Sequence, residues 1–139
     1  MIDTSVESGA RAEERLRRER TIWLCTVSAN GSPSVRPVWF LWDGETVLVY
    51  SQPGAAKVRH IESNPHVCLH LDPDEWGENV VIVTGRARIV PDHPPADRTA
   101  AFLEKYGWGF ERFGVSPRDY AEDYSTPILI EFERLRTYY

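Results

Sequence analysis

No run of apolar residues in this chain approaches the ~18 that a membrane-spanning helix requires, so it is not expected to cross a bilayer. Cysteine is scarce. Cys25 and Cys68 both sit inside apolar stretches and read as reduced core residues, not as a disulfide framework. Positive charge is in deficit: Lys+Arg 16 against Asp+Glu 21 leaves −5, which argues against a nucleic-acid partner or an anionic membrane surface. The opening MIDTSVESGARAEERLRRER has no apolar segment of the kind a secretory signal needs, and the expected location is the cytoplasm. Glycine motifs are missing too, with no G-x-G-x-x-G after a strand, no G-x-x-x-x-G-K-[ST] and no G-x-S-x-G. No metal site is expected. Cys68 and His70, two apart on one strand face, would need outside ligands, and His66 and His70 stand about 13 Å apart on an extended strand.

What is there fits one globular domain over residues 1–139, with 42% hydrophobic residues to fill a core. Aromatics are plentiful (Trp 5, Tyr 6, Phe 5), an excess that often marks a ligand pocket or a subunit interface. Residues 1–6 read as frayed. Glu7 to Arg20 favours helix, with Glu13–Arg17 and Glu14–Arg18 as i,i+4 pairs and a thin apolar stripe of Ala10, Ala12 and Leu16. Residues 1–20 are thus expected to pack by one edge on the sheet that follows.

The apolar period then changes to two. Thr21–Ser28, Ser34–Trp42 and Thr46–Ser51 read as three strands joined by turns at Ala29–Ser32 and Asp43-Gly44, a meander of antiparallel neighbours. Pro37 has no N–H to give a ladder, which puts it at an edge or a bulge. Ala55–Ser63 reads as a short helix stopped by Asn64-Pro65, and His66–Leu71 and Asn79–Val90 as two further strands. A helix over Ala96–Tyr106, a separate Gly-aromatic segment GWGFERFG, a short helix from Ser116-Pro117 and a last strand over Pro127–Thr137 complete the reading. The class is α+β: a six-stranded antiparallel barrel with peripheral helices.

The stretch from Arg36 to Lys57 carries the chemical signal. A phosphate site needs convergent N–H donors and cations. After Tyr50-Ser51, the segment Gln52-Pro53-Gly54-Ala55-Ala56-Lys57 offers a hydroxyl, a relaxed turn, an unencumbered helix start and a lysine in the first turn. A cation is unfavourable at that end of the helix dipole unless an anion shares the site. Arg36, reached through the Asp43-Gly44 turn, is expected to approach the same point. Singly, Arg36 and Lys57 are equally well surface charges; together, in this order, they favour a phosphate. Beside them Pro37-Val38-Trp39-Phe40 offers an apolar wall and free backbone groups for a planar ring, although Phe40 reads more simply as core.

These residues resemble the pyridoxamine 5′-phosphate oxidase-like flavoproteins, the FMN-binding split barrels. The resemblance rests on Arg36-Pro37-Val38-Trp39-Phe40, Tyr50-Ser51 through Lys57, Asn64-Pro65-His66-Val67-Cys68-Leu69 and Gly85-Arg86-Ala87-Arg88-Ile89, in that order. It implies a homodimer with cofactors at the interface, and cofactor-binding roles for Arg36, Pro37, Val38, Trp39, Tyr50, Ser51, Ala56 and Lys57, with Arg36, Ser51 and Lys57 toward the phosphate. The oxidases proper carry Arg-Lys where this chain has Ala56-Lys57, and a basic C-terminal substrate signature where it reads Arg134-Leu135-Arg136-Thr137-Tyr138-Tyr139.

The pattern LCTVSANGSPSVRPVWFLWDG is closer to the branch that uses the deazaflavin coenzyme F420, some relatives of which use FMN or bind heme. The implied activity is hydride transfer between the deazaflavin and a small conjugated or aromatic substrate. The alternatives are an FMN-dependent oxidase or reductase and a non-catalytic flavin, deazaflavin or heme binder, with His66 and His70 as the first heme ligands to test. Trp39, Trp42, Trp76, Trp108 and Tyr106 are the candidate substrate-facing residues. Tyr50, a tyrosine of the last segment, or water is the candidate proton donor. Arg112 and Arg118 either meet the coenzyme's acidic tail or are solvated helix charges.

Overall fold

Residues 2–138 are described by a computed structural model; Met1 of the expected frayed start and Tyr139 of the last segment lie outside the described residues. The chain runs α1 (Glu7–Arg18), β1 (Ile22–Val27), β2 (Pro33–Val38), β3 (Leu41–Trp42), β4 (Thr46–Ser51), α2 (Ala56–Ser63), β5 (His66–His70), β6 (Val80–Ile89), a 3-10 turn over Ala96–Arg98, α3 (Ala100–Phe113), α4 (Pro117–Asp123) and β7 (Thr126–Tyr138). The strands form one antiparallel sheet in the order β2-β1-β5-β6-β7-β4-β3.

Alternation of side chains puts Leu24, Leu69 and Val83, in register on β1, β5 and β6, on one face. That face encloses an aliphatic core with Val47, Val49, Ile128 and Ile130, all 1% exposed or less. Leu16 and Ala12 of α1 and Val58 and Ile61 of α2 join the same core. Ile2 is buried as well, so the start is less frayed than its composition suggests, and Gly9, not Ala10, completes the thin stripe of α1. The expected Glu13–Arg17 and Glu14–Arg18 pairs form at 2.6 and 3.8 Å.

Two expectations about the early strands are corrected. Ser34–Trp42 is not one strand but two, which raises the count from six to seven. At the break, the Phe40 N–H donates to the Tyr106 hydroxyl at 2.8 Å, and the Phe40 carbonyl accepts from Tyr106 and from the Lys105 ammonium at 2.9 Å each. Backbone groups satisfied by α3 side chains leave nothing for a ladder. Nor do the three strands form a meander. β2 pairs only with β1 at one edge, whereas β3 and β4 pair with each other at the opposite edge, β4 continuing onto β7. The Trp39–Phe40 link therefore carries the chain from one edge of the curled sheet to the other. Pro37 does lie in an edge strand, as its missing N–H requires.

A second cluster lies on the other face of β4 and β7. Leu48, Tyr50 and Leu129 meet Phe102, Tyr106 and Phe110 of α3 and Ala121 of α4, with Trp39, Tyr120 and Tyr124 packed around them. Here the helix expected to end at Tyr106 is corrected: α3 runs on through the Gly-aromatic segment to Phe113. Gly109 permits this, because a Cβ there would stand 2.8 Å from the Trp39 ring. Gly114 then ends the helix in the left-handed region at φ 65°, its N–H donating back to Glu111 and Phe110. Ser116 caps α4 by accepting from the Asp119 N–H at 3.1 Å.

Candidate functional site

A cavity of about 660 Å³ opens where the β2–β3 link, the end of β4, the start of α2 and the α3–α4 region meet. Arg36 reaches it from edge strand β2, Pro37, Val38 and Trp39 from the crossover, Tyr50 and Gln52 from the end of β4, and Lys57 from the first turn of α2. Arg36 and Lys57 thus meet, but by a route other than the expected one: across the split between the sheet edges, not through neighbouring strands. Lys57 is half-buried. Burial and, after it, the nearby Arg36 guanidinium push its pKa down. Among the described residues neither cation has an ion-pair partner, and Arg36 donates only to its neighbour's carbonyl at 3.4 Å. Two cations that repel each other beside a cavity, with no carboxylate in ion-pairing reach of either, form a natural anion site. The start of α2 adds to this, since Ala55 caps it without a side-chain hydrogen bond.

The other expected residues divide. The Tyr50 ring lines the cavity, but its hydroxyl lies 2.8 Å from both the Pro94 carbonyl and the Thr99 hydroxyl. Burial raises its pKa. The Ser51 hydroxyl is buried and donates to the Gln52 carbonyl at 3.0 Å, and neither Ser51 nor Ala56 lies on the cavity wall. Trp39 is on the wall, yet its indole is stacked on Tyr106 at 4.5 Å and on Tyr120 at 5.4 Å. It therefore serves as backing for the wall more than as an open stacking platform. Phe40 is core.

Of the residues expected to face substrate, Trp42 is buried beneath α1, where its indole N–H donates to Glu13 at 2.8 Å. Trp76 is 81% exposed in the β5–β6 loop. Tyr106 is fully buried, its hydroxyl holding the Phe40 and Arg20 carbonyls, and Trp108 lies under the Arg20 guanidinium; neither lines the cavity. Arg112 sits near the Phe113 ring and Arg118 pairs with Glu122 at 3.2 Å, so both stay off the wall. His66 and His70 alternate with the core residues Val67 and Leu69 on β5, and His70 stacks on Trp23, away from the cavity. Cys25 and Cys68 are free and half-buried, directly opposite each other across β1 and β5.

Sequence reasoning missed one whole wall. Phe110, Phe113, Val115, Tyr120, Asp123 and Tyr124 line the cavity from α3, α4 and their link. A signal existed: Ser116-Pro117 starts a helix, which places Tyr120, Asp123 and Tyr124 at i, i+3 and i+4 on one side.

Comparisons with known proteins bear on the family and the fold. Over 80 residues the chain is 34% identical to pyridoxine/pyridoxamine 5′-phosphate oxidase of Citrobacter koseri, a match covering 57% of this chain and 36% of that protein. The chain thus spans well under two thirds of the curated relative's length. A solved F420 reductase superposes with a TM-score of 0.66 at 26% identity, covering 89% of this chain and 94% of that one. The heme storage protein HutZ of Vibrio cholerae shares the fold at 21% identity, with a TM-score of 0.63 over 95% of this chain and 92% of its own. Residues 9–137 match the family described as pyridoxamine 5′-phosphate oxidase. With an α+β split barrel and a family match over nearly its whole length, the chain belongs to the pyridoxamine 5′-phosphate oxidase family.

Proposed function

We propose that the chain is an oxidoreductase that binds coenzyme F420 and serves hydride transfer between the deazaflavin and a small conjugated or aromatic substrate. The observation that carries this reading is the pair of unneutralised cations, Arg36 and Lys57, at one cavity with the apolar Val38–Trp39 wall. The likeness to an F420 reductase at 26% identity supports the choice of coenzyme.

The residues present fit such a group. Arg36 and Lys57 would hold the phosphate, assisted by the open start of α2, and Val38 with the backed Trp39 would meet the ring. When bound, the deazaflavin supplies a carbon centre that gives or accepts hydride. The chain's own part is to anchor, orient and exclude water, which requires no protein nucleophile. FMN also carries a phosphate tethered to its ring system, and family membership favours it as the second reading.

A homodimer is part of the proposal. Trp23, Cys25, Val27 and Cys68, on the strand face away from the aliphatic core, remain half-buried, and Val35 in register beside Cys25 is 42% exposed. This is surface that a second copy would cover. No described helix is long and apolar enough to cross a membrane.

The test is the double substitution Arg36→Ala, Lys57→Ala, with F420 and FMN titrated side by side. Charge-assisted phosphate contacts are worth about 1.5–3 kcal/mol each, so affinity for the bound coenzyme drops at least tenfold. A folded double variant with undiminished affinity for both coenzymes refutes the assignment.

A further inference from the structure

The cavity is chemically two-sided. Arg36 and Lys57 line it from β2 and α2; Phe113, Tyr120, Asp123 and Tyr124 line it from the α3–α4 region. Asp123 is exposed and lies beyond ion-pairing distance of both cations. No hydrogen bond to its carboxylate occurs among the described residues. Its sequence neighbour Glu122 is occupied by Arg118 and does not line the cavity. Tyr120 and Tyr124 are stacked at 4.5 Å and 15°, and Phe113 and Val115 are 62% and 38% exposed beside them. Apolar surface gathered at a cavity mouth is the kind that a flat ligand covers. A carboxylate among rings accepts hydrogen bonds and attracts positive charge.

We infer that the α3–α4 side of the cavity is a substrate subsite for flat conjugated compounds bearing an ammonium or other N–H-donating group, and that Asp123 selects them. This rests on the reading of Arg36 and Lys57 as the coenzyme's phosphate anchor, which leaves the aromatic side for the second ligand. Compounds bearing a carboxylate are disfavoured there, because Asp123 repels them.

The experiment uses the full chain, with and without saturating F420, and three naphthoquinones of one ring system: unsubstituted, aminomethyl-substituted and carboxylate-substituted. Binding is followed by quenching of tryptophan fluorescence, which requires no turnover. The wild type holds the aminomethyl compound about three- to fivefold more tightly than the unsubstituted one, the size expected of a solvent-exposed charge contact. Asp123→Asn removes that preference. Glu122→Gln, which lowers the net negative charge equally, keeps the preference. Equal affinities in the wild type, an unchanged preference in Asp123→Asn, or equal losses in Asp123→Asn and Glu122→Gln would overturn the subsite. If neither F420 nor FMN binds while Asp123 still sets the preference, the coenzyme reading falls and the subsite stands.

Discussion

The two hydrophobic clusters of this molecule are built on different principles. Inside the curled sheet, Leu24, Leu69, Val83, Ile128 and Ile130 are aliphatic and fully buried, the first three in register from strand to strand. Outside it, Trp39, Tyr50, Phe102, Tyr106, Phe110 and Tyr120 are rings, several with hydroxyls, drawn from distant parts of the chain. The first cluster holds the barrel together. The second positions the wall of the cavity, because Tyr106 and Lys105 bind the backbone of Phe40, one residue from Trp39. Stability and site geometry thus draw mainly on different layers, with the twice-buried strand β4 between them, although Val38 of the cavity wall packs against the first.

That separation can be broken from either side. Leu69→Ala leaves a hole in the aliphatic layer and costs about 2–5 kcal/mol, read as a lowered denaturant midpoint. Coenzyme affinity of the folded fraction stays where it was; a large loss would mean that the two layers are not independent. Tyr106→Phe is smaller in stability and larger in function. It strands the Phe40 N–H, at a cost of about 1–3 kcal/mol, and loosens the crossover that carries Val38 and Trp39, so coenzyme affinity falls with it. A variant with reduced stability and intact affinity would show that the hydroxyl supports the fold alone.

The smallest effect is one of pH. Burial pulls the Lys105 pKa down to about 8, against a slight opposing pull from Glu19. Between about 8 and the ordinary lysine value of 10.5, the unfolded chain holds a proton there that the folded chain has released, so this group makes stability rise with pH across that window. Lys105→Met removes that rise, and thermal midpoints at pH 7.5 and pH 10 measure the difference. A wild-type curve no steeper than the variant's would show that the ammonium stays charged against Phe40.

Much of the fold was legible in the residues. The switch from helical to alternating period located the strands, Asp43-Gly44 marked its turn, and Pro37 its edge. The topology was not legible, since Ser34–Trp42 is rich in strand-forming residues and its break depends on Tyr106 and Lys105, more than 60 positions later. Arg36 and Lys57 were readable as a pair from their charge and their order along the chain, although the structure joins them by a route other than the expected turn. The wall from Phe110 to Tyr124 was not, because nothing local says which strand a helix will cover.

The sequence alone determined the local grammar: where the backbone could be extended or helical, which positions alternate inward, and where two cations follow a strand end. These depend on neighbours along the chain. Only the tertiary structure decided that the second strand splits, that the sheet's edges are successive in the chain, and that an acidic, aromatic helix lines the same cavity as the cations. Those outcomes depend on long-range packing and on the need of each buried backbone group for a partner, and that partner can come from anywhere in the molecule.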